Sequence, residues 1–301
     1  MSETIINHGT ERTDSTASTT QLNTLPEQPL VTIEPGRGFG GAWLREFWAY
    51  RELLFFLAWR DVKVRYKQTA LGVLWVVMQP LLMTLIFSLF LGKLARVPSD
   101  GFPYPVVVFA GLLPWTFFSN AVTQGVTSIV GNTNLITKVY FPRFIIPASV
   151  VAGRLIDFGV AFIILFGLMA YYRVALTWQL AMIPVLVLIT SILALGVVTF
   201  VAALNVRYRD IGVVLPVVIQ LWMFASPVLY PARLVRDAWP RAYSLYELNP
   251  IVGVVEGFRS ALFGRAFDWT ALSRTTVIAL LILIVSAYFF RRVERSFADI
   301  I

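Results

Sequence analysis

The sequence predicts an all-α, polytopic membrane protein with six transmembrane helices, an N-terminal amphipathic interfacial helix and an outer re-entrant helical hairpin. Three observations carry this expectation. Long stretches are almost free of charge: residues 72–92, 101–137, 174–206 and 211–232 hold no Asp, Glu, Lys or Arg. Residues 144–172 hold only Arg154 and Asp157, and residues 269–290 only Arg274. A bilayer core needs about 20 apolar residues in a helix, and each stretch meets that length. The composition agrees: 57 % of the 301 residues are apolar and 14 % charged, against about a quarter charged in a soluble domain. The cations are also unevenly placed. With the N-terminus inside and six spans, fifteen Lys and Arg fall in inside segments and eight in outside ones, the bias that orients membrane proteins. Both termini are therefore placed in the cytoplasm.

Residues 1–41 are rich in Thr, Ser, Glu, Gln, Gly and Pro and lack the apolar core of a signal peptide. They read as a disordered cytoplasmic arm. Residues 42–301 form the transmembrane part: an interfacial helix within 42–70, six spans within 71–290 and a cytoplasmic tail at 291–301. In the interfacial helix Leu44, Phe47, Trp48, Phe55, Ala58, Trp59, Val62 and Tyr66 recur at helical spacing. Arg45, Glu52, Arg60 and Lys63 lie on a neighbouring face, while Arg51, Leu53 and Phe56 spoil the pattern. A basic, Trp-bearing amphipathic helix of this kind lies in the membrane–water interface.

The spans are expected at 71–92, 104–130, 145–172, 178–204, 212–230 and 270–290. Between the second and third, the run GNTNLITKVYFPR places Asn132 or Asn134 to cap a short helix over 135–140, which Pro142 stops. The apolar Leu135, Ile136, Val139 and Phe141 are unusual for a solvated loop and point to a surface that docks onto something, with Lys138 and Arg143 exposed. Read blandly, the segment is only a loop. The turn NVRYRD places Arg207, Arg209 and Asp210 at the membrane edge, where anchoring alone accounts for the arginines.

The segment 231–268 differs in kind. Asn249-Pro250 opens a helix and Gly264 is placed to end it. Ile251, Val254, Val255, Phe258 and Leu262 give it an apolar face, and Glu256 and Arg259 form an i,i+3 pair. Pro227, Pro231 and Pro240 break the approach. This reads as a hairpin dipping into the outer leaflet, beside a cavity open to the outside. Arg154 and Asp157 form an opposite pair at i,i+3 within the third span. Structural neutralisation is the plainer account and a functional role the alternative.

Several chemistries are excluded. Without cysteine and with His8 alone, no thiolate or His/Cys metal site can be built. No G-x-x-x-x-G-K-[ST] run is present, so the chain has no P-loop. No acidic pair lies within the spans, which argues against metal-assisted catalysis. The formal charge of +8 follows from cytoplasmic loops rather than from nucleic-acid binding. The chain reads as a membrane machine whose energy source lies elsewhere.

Five motifs in order carry a resemblance: WRDVKVRYKQTALGVLWVVMQPL from 59 to 81, LITKVYFPR from 135 to 143, NVRYRD from 205 to 210, SPVLYP from 226 to 231, and the LNP…E…FR helix from 248 to 259. Together they resemble the polysaccharide-export permeases of the type 2 ABC transporter superfamily, above all the O-antigen permeases of Gram-negative bacteria. The likeness covers roughly residues 43–301. It implies a non-enzymatic transport subunit in the bacterial inner membrane, working as a homodimer with two copies of a separate cytoplasmic ABC ATPase. ATP and Mg would bind on that partner, with no cofactor on this chain, and the cargo would be a lipid-linked polysaccharide.

The resemblance also implies roles for residues. The segment holding Leu135, Ile136, Lys138, Tyr140 and Arg143 matches the coupling helix that docks on the ATPase, with Arg207, Arg209 and Asp210 as a second contact. The first and fifth spans would line the channel. Trp75, Gln79, Phe87 and Phe90 in the first, and Gln220, Trp222, Phe224 and Tyr230 in the fifth, are its candidate lining. Tyr104 and Trp115 would face the outer mouth. Gln79 and Gln220 stand out because a lipid-facing amide is unfavourable. Trp59, Arg60, Lys63 and Arg65 would flank the place where the glycan comes in from the lipid interface, and Asn249, Pro250, Glu256 and Arg259 would form the outer gate. Export of capsular polysaccharide or teichoic acid is the alternative within this class. A stand-alone carrier or channel, or a lipid-glycan enzyme, would be a different class.

Overall fold

The computed structural model describes residues 48–67, 73–99 and 101–294. The arm 1–41, the positions 44–47 of the interfacial helix and the tail beyond 294 lie outside them. The described residues are helices and their connections: α1 (Arg51–Lys67), α2 (Val73–Phe87) continued by a π-helical turn (Ser88–Leu94), α3 (Tyr104–Gly125), α4 (Ser128–Gly131), α5 (Thr133–Lys138), α6 (Ile145–Tyr171), a 3-10 turn (Trp178–Met182) leading into α7 (Ile183–Arg207), α8 (Ile211–Phe224), α9 (Arg233–Ala238), α10 (Pro240–Tyr246), α11 (Pro250–Phe263) and α12 (Trp269–Glu294).

Five of these are long and apolar enough to cross a membrane: Val77–Leu94, Tyr104–Gly125, Ile145–Tyr171, Trp178–Arg207 and Trp269–Glu294. The expected fifth span is shorter. α8 has 14 residues, about 21 Å of helix, less than the roughly 30 Å of a hydrocarbon core. Its ladder ends at Phe224, and SPVLYP continues as turns instead of helix. Pro227 and Pro231 supply no backbone donor there. The second span ends early as well, with α4 following as a separate turn. The sixth outruns its expected end, so that residues 291–294 of the expected tail are helical.

α3 is the centre of the bundle. It packs against α2, α6, α7, α8 and α11 and is buried almost without break from Val106 to Phe118. Its residues are apolar on every side, the pattern of an enclosed helix. α12 lies along α7, and α11 fills the space between α3, α7 and α12. Where a lipid tail is as apolar as a leucine, close packing holds helices together, and small residues permit it. Gly111 of α3 is such a position: a Cβ there would stand 2.2 Å from the Val228 carbonyl oxygen.

The expected re-entrant helix is α11, and its ends follow the predicted chemistry. The Asn249 side chain accepts from the Ile251 amide at 3.1 Å, and Pro250 occupies the first turn. Gly264 takes the left-handed conformation at φ 68°, which a side chain would disfavour. The helix is not amphipathic in its setting, however. Ile251, Val254, Val255, Phe258 and Leu262 are buried, and so are Val252, Ala261 and Phe263. It is a core element of the bundle, with the short α9 and α10 before it.

α1 also departs from expectation. The apolar stripe is split between two directions. Ala58 and Val62 join Leu57 against α6, while Phe55 (68 % exposed) and Trp59 face outward. The two outward rings stack at 6.4 Å, and Lys63 stands 5.9 Å over the Trp59 ring. Leu57, off the predicted stripe, is the more deeply buried residue because docking on α6 selects a different face from the one that carries Phe55 and Trp59.

Candidate functional site

Two polar constructions occupy opposite ends of the bundle, one at the α5 end and one at the α11 end. Between them run two weakly buried helices, α2 and α8.

At the α5 end, Asp157 of α6 accepts from three donors. Arg154 reaches it at 2.9 Å, the Tyr66 hydroxyl at 2.6 Å, and Arg65 through its guanidinium. Gln124 of α3 accepts from Arg65 and from Arg154, both at 2.8 Å. The expected Arg154–Asp157 pair therefore exists, but it is the middle of a cluster that ties α1 to α3 and α6. Two guanidiniums on one carboxylate exceed simple neutralisation, and the Gln124 oxygen takes up part of the surplus donor capacity. Burial first, and then the hydrogen bond to Asp157, push the Tyr66 phenol above its ordinary pKa, so it remains a donor. A second tie lies nearby. Arg60 bonds Asp61 and also the Asn132 side-chain oxygen at 2.9 Å. Of the four cationic or aromatic residues grouped on α1, Arg60 and Arg65 thus turn into the bundle, and Trp59 and Lys63 face away.

The expected docking helix is α5, Thr133–Lys138, two residues earlier than predicted. Asn132 stands at its N-cap but does not cap it with its side chain. That amide instead donates to the Ser128 carbonyl and receives Arg60. Ile136 and Phe141 turn inward and are buried, and Leu135 is half-buried. Arg143 is not the free cation expected. Its guanidinium donates to the Glu294 carbonyl and its backbone amide to Glu294 Oε1 at 3.2 Å, joining this loop to the end of α12. What stays outward is Lys138, Val139 and Tyr140, the last 67 % exposed. Arg207, Arg209 and Asp210 are exposed at the same end. Asn205 shapes their turn by accepting from the Gly212 amide at 3.1 Å.

At the α11 end, Arg259 is 2 % exposed. It donates to Glu256 at 2.9 Å and to the carbonyls of Tyr230 and Val228, each at 3.0 Å. Glu256 in turn accepts from the Ala232 amide at 3.1 Å. Asn249 adds a second hold: it accepts from the Trp222 indole at 3.0 Å and donates to Ser226 Oγ at 2.8 Å. The Tyr104 hydroxyl reaches the Leu229 carbonyl at 3.0 Å. In the non-helical segment 226–232 the carbonyls of Val228, Leu229 and Tyr230 and the Ala232 amide each gain a side-chain partner in this way. SPVLYP and the LNP…E…FR helix, separate in sequence, are one clamp. Trp115 is buried within α3 and does not reach a mouth.

α2 and α8 both flank α3 and leave much of their surface uncovered. Gln79 and Gln220 are exposed on this single chain, as are Phe90 and Phe224, whereas Phe87, Trp222 and Tyr230 are half-buried. Trp75 falls outside the described side chains. Tyr230 donates to the Phe224 carbonyl at 2.9 Å, so it braces the end of α8. Among the described residues no group of three His, Cys, Asp or Glu is placed to hold a metal.

Sequence reasoning missed the long-range partners: Arg65 with Asp157, Arg60 with Asn132, Arg143 with Glu294 and Trp222 with Asn249. Periodicity assigns a residue to a face but does not pair faces that lie 27 to 151 residues apart in the chain. The one available signal was that Arg65, Tyr66 and Gln124 sit at span ends on the same side as Arg154.

The profile of the ABC-2 type transporter family matches residues 52–263. The chain is 33 % identical over 257 residues to an O-antigen export system permease protein RfbA of Myxococcus xanthus, covering 85 % of this chain and 98 % of that one. It is 26 % identical to an O-antigen export system permease protein RfbA of Klebsiella pneumoniae, covering 83 % and 95 %. It is 24 % identical to the polysialic acid transport protein KpsM of Escherichia coli, covering 79 % and 92 %.

Proposed function

The chain belongs to the ABC-2 type transporter family, and from that premise we propose that it is the permease subunit of an ATP-driven exporter of a lipid-linked O-antigen polysaccharide. The observation that carries this is the match to an O-antigen export permease at 33 % identity along 98 % of its length. In this reading two copies of the chain pair with two copies of a separate ABC ATPase, which holds ATP and Mg. The assembly sits in the bacterial inner membrane with both termini and the α5 end in the cytoplasm.

The geometry gives this reading a route for force. The outward Lys138, Val139 and Tyr140 with Arg207, Arg209 and Asp210 supply the surface on which the ATPase docks. Movement of α5 passes to α1 through Arg60–Asn132, and α1 is held to α3 and α6 by the Asp157 cluster. It also passes directly to α12 through Arg143–Glu294. At the other end, the clamp on 226–232 fixes the exit of α8, so Asn249, Pro250, Glu256 and Arg259 act as the frame of an outer gate. The exposed amides of Gln79 and Gln220 cost free energy against lipid. They are accounted for if α2 and α8 face a partner copy and a hydrated glycan path. Sugar rings offer hydroxyl edges and C–H faces, so amides and the rings of Phe90 and Phe224 let a chain slide without a deep minimum.

The polysialic acid relative supports a second reading, export of a capsular polysaccharide, on a lower identity. Replacing Lys138 by Glu and Tyr140 by Asp tests the docking surface. Loss of ATPase co-purification together with glycan export is expected. Survival of both would refute the assignment.

A further inference from the structure

At the α11 end a cavity of about 250 Å³ lies between α9, α10, α11 and the start of α12. We propose that it is a carbohydrate subsite that takes one sugar ring of the exported chain, held by Glu247, Glu256, Asp268, Arg236, Tyr243 and Phe267. The proposal rests on the reading of this chain as a glycan permease with the α11 end outside.

The chemistry of the wall selects the ligand class. The cavity is lined by three carboxylates, Glu247, Glu256 and Asp268, and by three guanidiniums, Arg233, Arg236 and Arg265. Glu247 and Glu256 are already paired with Arg274 and Arg259, so a cation would find these carboxylates engaged, and an anion would meet a carboxylate beside the guanidiniums. A polyol suits both, because each hydroxyl donates to a carboxylate and accepts from a guanidinium or phenol.

The hydrogen-bonding capacity is also partly unspent. Glu256 uses Oε1 for both Arg259 and the Ala232 amide, and Oε2 has no partner among the described residues. Glu247 gives Oε2 to Arg274, leaving Oε1. Asp268 gives Oδ1 to the Ala271 amide. Among the described residues Arg236 makes one loose ion-pair contact, 3.9 Å to Asp237. Glu247 and Glu256 keep only 20 % and 32 % of their side-chain surface exposed, so their fixed positions are set by the fold before any ligand arrives.

Two rings complete the wall. Phe267 lies tilted against Trp269 with centroids 5.5 Å apart, which holds its ring in place for the C–H face of a sugar. The Tyr243 phenol lies among the charges: burial first, then Glu247, raise its pKa, and Arg236 opposes them. It therefore stays a neutral donor and acceptor. The volume lies a little below the roughly 300 Å³ at which pockets for larger ligands begin. That is room for one ring and none for a lipid anchor.

The test uses the full chain in lipid nanodiscs, without ATP or partner. Saturation-transfer NMR would be recorded with methyl mannoside, methyl galactoside, methyl rhamnoside and methyl glucuronide as probes. Transfer to at least one neutral glycoside is expected, stronger than to the uronide, and reduced at least threefold by Arg236→Gln with Tyr243→Phe. Asp268→Asn, which can still accept the Ala271 amide, should weaken it without altering thermal stability, and Glu52→Gln, at an exposed position of α1, should leave it unchanged. The proposal is overturned if no glycoside gives transfer up to about 10 mM, a bound near −3 kcal/mol. It is equally overturned if the uronide binds best or if the pocket variants retain full signal. The readout does not require export, so its failure leaves the export reading standing. Loss of ATP-driven export with glycoside transfer intact would remove that reading alone.

Discussion

Replacing Asp157 by Asn removes one negative charge from beneath two guanidiniums and weakens the tie between α1 and the bundle. Asp157 accepts from Arg65, from Arg154 at 2.9 Å and from Tyr66 at 2.6 Å. Breaking a buried pair from one side costs about 3–5 kcal/mol, because the remaining charge is left uncompensated. The low end applies here, since Arg65 and Arg154 keep 19 % and 18 % of their side-chain surface exposed and can recruit water. Each 1.4 kcal/mol is about tenfold, so about 3 kcal/mol raises the population of released α1 roughly a hundredfold. Amide hydrogen exchange reads this directly, because local opening sets the rate. Amides of α1 should exchange roughly a hundredfold faster in the variant, while those of α3 keep their protection. Unchanged exchange in α1 would refute the argument that this cluster, and not the packing of Leu57, Ala58 and Val62 alone, holds the helix down.

At the other end, Arg259→Met strips donors from two carbonyls and a carboxylate and should lower stability by about 3–5 kcal/mol, read as a lower thermal unfolding midpoint with export lost. Gly111→Ala places a methyl 2.2 Å from the Val228 oxygen, and overpacking should cost about 1–3 kcal/mol by the same measurement. Gln79→Leu with Gln220→Leu should leave folding intact and reduce glycan export, whereas unimpaired export would separate these amides from the path. Arg60→Gln breaks the link to Asn132 together with the local pair to Asp61, so ATPase activity of the assembly should persist while its stimulation by substrate weakens.

Much of the fold is legible in the chain because lipid imposes a simple rule: long apolar runs become helices. Thus α6 and α7 appear within a few residues of their expected bounds, and Asn249, Pro250 and Gly264 mark α11 by local chemistry alone. The failures share a cause. α8 stops at Phe224 because Asn249, Arg259 and Glu256, distant in sequence, satisfy the backbone beyond it as turns. Uncharged composition cannot distinguish that from continued helix. Five apolar positions give α11 one apolar face, yet α3, α7 and α12 enclose the other face too. Asn132, one of the two expected caps with Asn134, does stand at the N-cap, but Arg60 takes its side-chain oxygen. Of the candidate site, the identity of the outward residues at 138–140 and 207–210 was readable, and the ties of Arg60, Arg65 and Arg143 into the bundle were not.

The central claim is that this chain conducts a lipid-linked polysaccharide under power from another protein. ATP-driven accumulation of that glycan in inverted membrane vesicles containing the chain tests it most directly. Accumulation is expected to require ATP and to be abolished by Lys138→Glu with Tyr140→Asp. Accumulation that proceeds at full rate without ATP, or that survives those two substitutions, would contradict it.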